Sequence, residues 1–102
     1  MGKKEENFAY FKSAHPDIYK SYEAFGKALH DAGGPLSERE RWLIKTAVSA
    51  ATGHDLALKT HIGKAVSAGC SREEIEHAIL LTASTAGFPA MMEALMAYRE
   101  TL

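Results

Sequence analysis

The sequence is poor in cysteine, with only Cys70 among its 102 residues. One thiol cannot form an intrachain disulfide. A low cysteine content is typical of proteins in a reducing compartment, and we therefore expect a cytoplasmic protein. The chain lacks an apolar run of about 18 residues, which argues against a membrane-spanning helix. No apolar stretch follows the lysines near its start, so the sequence predicts no secretory signal peptide.

An excess of charge of one sign is also missing. The chain has 12 basic and 13 acidic residues, for a net charge of −1. Without a long run of like charge it lacks the basic footprint of a nucleic-acid-binding protein. The hydrophobic fraction of 46% is typical of a globular protein, and 102 residues suffice for one domain with a modest core. We therefore expect neither nucleic acids nor membranes as partners.

What the sequence does contain is helical periodicity. From Pro16 to about His30, apolar residues recur at spacings of four, three and four positions, which predicts an amphipathic helix. These residues are Ile18, Tyr22, Phe25 and Leu29. Before them, residues 1–15 are predicted to be a polar lead-in with a short helix over Asn7–Ala14, and 16–102 are predicted to form the helical domain.

Two capping boxes, Ser37 with Glu40 and Ser71 with Glu74, predict the starts of two later helices. Further helices are expected over 55–68 and 90–98. The helix that follows Ser71 is apolar on nearly every side, which indicates burial in a larger body or against another subunit. No segment has a strand pattern. The sequence therefore predicts an all-α fold of five to six helices.

The segment Thr46–His61 is the strongest candidate for a chemical site. Its pattern predicts the end of one helix, a glycine stop and a second helix that carries two histidines along one stripe. His61 shares its face with apolar residues, so its imidazole is either a general acid or base, or a core histidine bonded to a backbone carbonyl. His54 lies about 10 Å from His61 along the helix axis, too far for both to bind one metal. We therefore predict no metal and no cofactor.

Trp42 and Cys70 each permit two interpretations. Trp42 either packs in a core or subunit interface, or forms a wall of an apolar ligand pocket. Cys70 stands just before a helix start, where a thiol pKa can be lowered, so peroxide reduction is conceivable. The alternative for Cys70 is a small loop residue with no chemical role.

The order of these signals resembles the carboxymuconolactone decarboxylase family, which also includes the alkylhydroperoxidase D-type proteins. The pieces that carry the resemblance are Leu36-Ser37, Leu43-Ile44, Ala47–Ala51, Gly53, His61, Ala68-Gly69, Ser71–Ile75 and Ala86–Ala90. The resemblance implies an alkylhydroperoxidase D-like helical bundle that assembles as a homo-trimer or homo-hexamer.

The redox members of that family carry Cys-x-x-Cys-x-x-x-His, and here those positions hold His54, Ala57 and His61. A dithiol cycle cannot run without two thiols. The redox members also have a glutamate where this chain has Trp42. The decarboxylase branch likewise lacks the cysteines and keeps the glycine and histidine found here as Gly53 and His61, so in this respect the chain resembles that branch more.

The resemblance therefore implies a decarboxylase-like lyase acting on a small carboxylated lactone or related acid, with His61 transferring a proton. The other residues that we assign to the site are Glu40 and His54 as helpers, Lys45 and Arg41 as attractors of the substrate carboxylate, and Trp42 as a pocket wall. Two alternatives stay open: a non-catalytic oligomeric binding or scaffold domain that lost the redox centre, and a peroxidase that uses Cys70.

Overall fold

The computed structural model describes residues 2–102, and the regular structure within them is entirely helical, which confirms the all-α prediction. The chain divides into two compact units, the first ending at Pro35 and the second spanning Leu36–Leu102. Six α-helices and one short 3₁₀ turn make up this part of the chain. None of the helices between residues 2 and 102 has the length and apolar character needed to cross a membrane.

The first unit is a pair of helices, α1 (Lys3–Ala14) and α2 (Pro16–Ala32), joined by His15 alone. Helix α1 begins at Lys3, well before the predicted start at Asn7, so the polar lead-in is mostly helical. The acidic residues Glu5 and Glu6 lie in the first turn, where carboxylates interact favourably with the positive end of the helix dipole. A segment without apolar residues can therefore still extend a helix at its amino end.

An aromatic contact holds the two helices of the first unit together. The ring of Tyr19 on α2 lies edge-on to Phe8 and Phe11 on α1, at centroid distances of 6.0 and 6.4 Å. The ammonium group of Lys12 lies 5.0 Å from the centre of the Tyr19 ring. These are favourable geometries for aromatic and cation–π pairs, so Tyr19 helps to hold α2 against α1.

The predicted apolar stripe of α2 exists but is not buried. We call its four side chains, Ile18, Tyr22, Phe25 and Leu29, the α2 stripe. Each of the four is between 53% and 64% exposed. An amphipathic helix normally turns such a face toward a core, so the α2 stripe is an apolar surface that the helix pair of the first unit does not bury.

The second unit contains the remaining helices and the core. These are α3 (Glu38–Thr52), α4 (Asp55–Ser67), α5 (Arg72–Leu80), a 3₁₀ turn (Leu81–Ser84) and α6 (Phe88–Thr101). Both predicted capping boxes form at the starts of α3 and α5. The buried apolar core consists of Ala50, Leu58, Ile62, Ala65, Cys70, Ile75, Ile79, Met91, Ala94, Ala97 and Tyr98.

Helix α5 ends at Leu80, before the Gly87-Phe88-Pro89 segment where glycine and proline would end a helix on sequence grounds alone. The backbone N–H groups of Thr85, Ala86 and Gly87 all donate to the carbonyl of Thr82, at 3.2, 2.7 and 3.3 Å. The Thr82 hydroxyl in turn donates to the Ile79 carbonyl at 2.7 Å. The hydrogen bonds of Thr82 therefore stabilise a tight turn, which apolar periodicity alone does not predict.

An ion pair between Arg39 and Glu74 links the start of α3 to the start of α5. The hydrogen bond from the Arg39 guanidinium, aided by the backbone N–H of Ser71, lowers the pKa of Glu74 from 4.5 to about 2. Because folding lowers the pKa of this carboxyl group, the ionised form of Glu74 stabilises the folded state. Its contribution is therefore complete above pH 4.5 and is lost as the pH falls toward 2.

We expect Glu74→Gln to flatten the acid side of the stability profile. Between pH 5 and 2 the unfolding free energy of the wild type should fall more steeply than that of the variant, because only the wild type must protonate this carboxylate on unfolding. Urea midpoints measured across this range test the prediction. Glu73→Gln, a neighbouring exposed carboxylate, is the matched control, and equal slopes for wild type and Glu74→Gln would contradict the assignment.

Candidate functional site

The candidate site lies where α4 folds back along α3. Gly53 adopts a left-handed conformation with φ of 73°, which side chains rarely tolerate. The N–H of Gly53 donates to the Ala50 carbonyl at 3.3 Å, and the N–H of His54 donates to the Ser49 carbonyl at 3.1 Å. This glycine-dependent helix end reverses the chain within two residues. The turn lets a residue in the second turn of α4 meet residues in the middle of α3.

His61 is the α4 residue that makes this contact. Its Nδ1 lies 2.8 Å from the hydroxyl oxygen of Ser49 and 3.2 Å from the backbone carbonyl of Lys45. The centroid of its ring is 5.5 Å from that of Trp42, with the planes tilted by 44°. The Lys45 ammonium in turn lies 5.0 Å from the centre of the Trp42 ring. We call these four residues the His61 cluster.

The contacts of the His61 cluster favour the tautomer with the proton on Nδ1. A carbonyl oxygen can only accept, so the Lys45 carbonyl requires a proton on Nδ1 of His61. Ser49 is only 5% exposed, and with the proton on Nδ1 its hydroxyl oxygen is the acceptor of the 2.8 Å contact. In the neutral ring the lone pair is therefore on Nε2. In the imidazolium both nitrogens carry a proton, and Nδ1 keeps its bonds to α3.

Two cationic side chains stand on the same side of α3. Arg41 precedes Lys45 by four residues, one helical turn, and both are half-buried. One guanidinium nitrogen of Arg41 donates to the Leu36 carbonyl at 2.7 Å. Arg41 and Lys45 thus place two cationic side chains on the face of α3 that carries the His61 cluster, and such side chains attract a carboxylate.

The structure does not bring the two predicted helper residues into the His61 cluster. Glu40 accepts from the backbone N–H of Ser37 at 2.9 Å, so its carboxylate completes the cap of α3 and has a lowered pKa for that reason. His54 is exposed at the start of α4, and its Nδ1 lies 3.0 Å from the hydroxyl of Thr52. His54 occupies the cap position of α4 without making a side-chain cap bond.

Ser49 is the residue of this site that sequence analysis missed. It follows Trp42 and Lys45 at spacings of seven and four, so the three share one face of α3. A serine among alanines on a helix is usually unremarkable, and its neighbours Ala47 and Ala50 offered no hint of a partner. The sequence did contain one indication of this role for Ser49. Ser49 shares a face of α3 with Lys45, and the next helix carries His61, a histidine predicted to point inward.

Cys70 does not have the environment of a reactive thiol. It is 7% exposed, and its Sγ lies 3.7 Å from the Arg39 carbonyl. Burial raises the pKa of the Cys70 thiol, and the nearby Arg39 charge only partly opposes this effect. The helix start that follows Cys70 therefore does not produce the lowered pKa that a peroxide-reducing thiolate needs.

Beyond the His61 cluster, residues 2–102 contain an apolar groove but no group of side chains arranged for a metal ion. No three histidine, cysteine or acidic side chains in that range are placed to share a metal ion. An apolar groove of about 580 Å³ runs between α3 and the α5 region. Its main apolar lining residues are Ile44, Ala47, Val48, Ala51, Ala78 and Leu81, and we call it the α3–α5 groove. Because α3 turns 100° per residue, this groove and the His61 cluster lie on opposite faces of the helix.

Residues 16–100 match the model of the carboxymuconolactone decarboxylase family. That match covers well over half of the chain and includes every residue of the His61 cluster. The chain belongs to the carboxymuconolactone decarboxylase family. Comparison with curated proteins and with solved structures gave no match for this chain. Membership in the family thus rests on the family model, and the architecture described above agrees with the all-helical fold that the resemblance implied.

Proposed function

We propose that this member of the carboxymuconolactone decarboxylase family is a lyase that acts on a small carboxylated lactone or a related acid, with His61 as its proton-transfer group. The observation that carries the proposal is the pair of contacts at Nδ1 of His61, with the Ser49 hydroxyl and the Lys45 carbonyl. These contacts orient the ring, which supports our proposal that the second nitrogen transfers the proton. General acid or base histidines are commonly oriented in this way.

The proposed step is loss of carbon dioxide followed by protonation. As the bond between the carboxylate and its neighbouring carbon breaks, the electron pair stays on that carbon and spreads onto the adjacent carbonyl as an enolate. A proton from Nε2 of the His61 imidazolium then reaches the carbon, and solvent later restores the imidazolium. A positive or proton-donating group placed where the charge develops lowers the barrier most.

The remaining residues of this region would bind the substrate. Lys45 and Arg41 supply positive charge for its carboxylate, and Trp42 supplies an apolar wall against its ring. We do not assign Glu40 or His54 a part in the chemistry, because Glu40 is engaged in a helix cap and His54 is exposed at a helix start. Assembly as a homo-trimer or homo-hexamer and a cytoplasmic location belong to the same proposal.

Measurement of carbon dioxide release tests the reaction. The purified protein would be incubated with a panel of small lactones and 3-oxo acids that carry a carboxylate, and with matched methyl esters as controls. We expect release from at least one free acid and none from its ester, because the ester has no carboxylate to lose. Tight binding of panel members without any release would favour the alternative, a non-catalytic binding or scaffold domain.

Ser49→Ala tests whether the hydroxyl positions the imidazole. Because the hydroxyl restrains the ring through one hydrogen bond, we expect kcat to fall by about tenfold with little change in KM, as a loss of about 1–1.5 kcal/mol implies. Ser49→Thr, which keeps the hydroxyl, should recover most of the rate. Nitrogen-15 NMR of the imidazole should show a larger share of the other tautomer in Ser49→Ala only. Unchanged tautomers and rates would contradict the positioning role.

Peroxide reduction through Cys70 is the remaining alternative, and its burial and raised pKa argue against it. Dilute hydrogen peroxide followed by a sulfenate-specific probe distinguishes the two cases. We expect slow labelling of Cys70, comparable to that of an ordinary buried thiol. Fast and stoichiometric sulfenate formation would overturn this expectation and revive the peroxidase hypothesis.

A further inference from the structure

The indole of Trp42 lies against two side chains that can carry positive charge. The Lys45 ammonium is 5.0 Å from the centre of the indole ring, and the centroid of the His61 imidazole is 5.5 Å from that of Trp42. Both distances are within the roughly 6 Å over which a cation is attracted to the face of an aromatic ring. All three side chains are half-buried, so water screens these contacts less than it would on an open surface.

An aromatic neighbour has two effects of opposite sign on a histidine. Its bulk removes water from the imidazole, which disfavours the charged form. The negative electrostatic potential on the face of its ring attracts the imidazolium, which favours the charged form. The balance of these two effects at Trp42 therefore bears on the pH up to which His61 stays protonated.

The charged groups on the His61 side of the second unit are cations. Lys45 and Arg41 stand one turn apart on the same side of α3, and Lys64 follows His61 by three residues, about one turn of α4. Like charges nearby disfavour the imidazolium. An indole between Lys45 and His61 is thus a group of this region that offsets repulsion between positive charges without adding a carboxylate.

The charged side chains of α5 and α6 have other surroundings. On α6, Glu100 pairs with Lys59 at 3.5 Å, and Lys59 lies about 160° from His61 around α4. The other charged residues of these two helices line surface pockets, the α3–α5 groove or the surroundings of Tyr98. They are Glu93 and Arg99 at the pockets, Glu74 and His77 at the groove, and Arg72, Glu73 and Glu76 near Tyr98.

We propose that Trp42 acts through His61 as a positioning residue for charge: its indole stabilises the imidazolium against the surrounding cations and keeps it protonated to a higher pH than an apolar wall of the same size would. The inference deepens the proposed function and in that respect rests on it, because a proton donor must be charged at the working pH. The titration of His61 is nevertheless a property of the folded chain and is measured without a substrate.

Fluorination of the indole tests the inference, since Trp42 is the only tryptophan in the chain. Fluorinated tryptophan supplied during expression therefore changes this ring alone. Each fluorine withdraws electron density from the face of the ring and weakens its attraction for a cation, while the shape of the ring changes little. In nitrogen-15 NMR, the titration midpoint of His61 should fall stepwise from tryptophan to monofluoro- and difluorotryptophan. The limit is about 0.4–0.7 pH units, the shift for complete loss of such a contact.

The exposed His54 is the matched control in the same spectra, and its midpoint should not move. Fluorine-19 NMR supplies a second readout, because the single fluorotryptophan should change its resonance with the midpoint of His61. In His61→Asn, which does not titrate, this change should disappear, whereas in His54→Ala it should remain. Circular dichroism of each labelled protein establishes that the fold is kept.

A His61 midpoint that stays constant or rises across the fluorinated series would overturn the inference, because Trp42 would then act only through its size and the exclusion of water. A fluorine resonance that does not follow the titration of His61 would also contradict it. The proposed function fails in a different way. If the NMR midpoints fall but the pH dependence of kcat/KM does not move with them, the inference stands and His61 is not the proton donor.

Discussion

Replacing His61 with alanine is expected to lower kcat for carbon dioxide release by about 10²–10⁴-fold, the range that a positioned general acid or base contributes. The loss follows from removing Nε2, the nitrogen to which we attribute proton transfer in the proposed function. Initial rates on a panel substrate, with helix content checked by circular dichroism, measure it. KM should change little, because the positive charges of Lys45 and Arg41 remain.

Two further variants separate chemistry from folding. His61→Asn places an amide N–H where Nδ1 stood, so it can still donate to the Lys45 carbonyl, but it has no counterpart of Nε2. It should therefore be as stable as the wild type and as inactive as His61→Ala. His54→Ala also replaces a histidine with alanine, but at an exposed imidazole, and it should lower kcat far less than His61→Ala. Equal losses in the His54 and His61 variants would contradict the assignment.

The largest expected effect on stability is that of Ile79→Ala. Ile79 is fully buried in α5, and its truncation removes apolar contacts and leaves a cavity, at a cost of about 2–5 kcal/mol. In a unit of this size such a loss is a large share of the whole folding free energy. Urea unfolding followed by circular dichroism at fixed protein concentration measures the change.

Leu80→Ala is the matched control for Ile79→Ala, since it truncates the adjacent residue by a similar volume. Leu80 is 41% exposed, so it loses less transfer free energy and leaves no closed cavity. We expect Leu80→Ala to lower the free energy of unfolding by about 1 kcal/mol, well below the loss expected for Ile79→Ala. Similar costs for both variants would mean that α5 does not pack as described.

Most of the fold could be predicted because its helix boundaries depend on local chemistry. The capping boxes at Ser37 and Ser71 and the glycine end at Gly53 determine hydrogen bonds within a few residues of themselves. The errors arose where a boundary depends on longer contacts or on charge. The 3₁₀ turn after α5 depends on Thr82, and the early start of α1 depends on acidic residues instead of apolar ones.

Burial was harder to predict than helix formation. The period of Ile18, Tyr22, Phe25 and Leu29 predicted a helix correctly, but periodicity cannot say what the apolar face meets. The same limit applies to the helix after Ser71, where Ile75 and Ile79 are buried while Leu81 is exposed. A sequence reveals that a face is apolar, and only the packing of other elements decides whether it is a core or an interface.

The candidate site was predicted in part. His61 was expected to point inward, and its ring does contact α3 through Ser49 and Lys45. The position of Trp42 beside His61 could not be derived from spacing, since the two are 19 residues apart and meet only because Gly53 reverses the chain. Glu40 was a plausible helper by proximity in sequence, yet the same capping box that located α3 also engages its carboxylate.

The most direct test of the central claim is the pH dependence of kcat/KM set against the titration of His61 followed by nitrogen-15 NMR. If the imidazolium donates the proton, kcat/KM falls as the pH rises through the pKa of His61 in the free enzyme, and the kinetic and NMR midpoints coincide. The fall should be absent from the residual activity of His61→Asn. A profile that stays flat across the NMR midpoint would contradict proton transfer by His61.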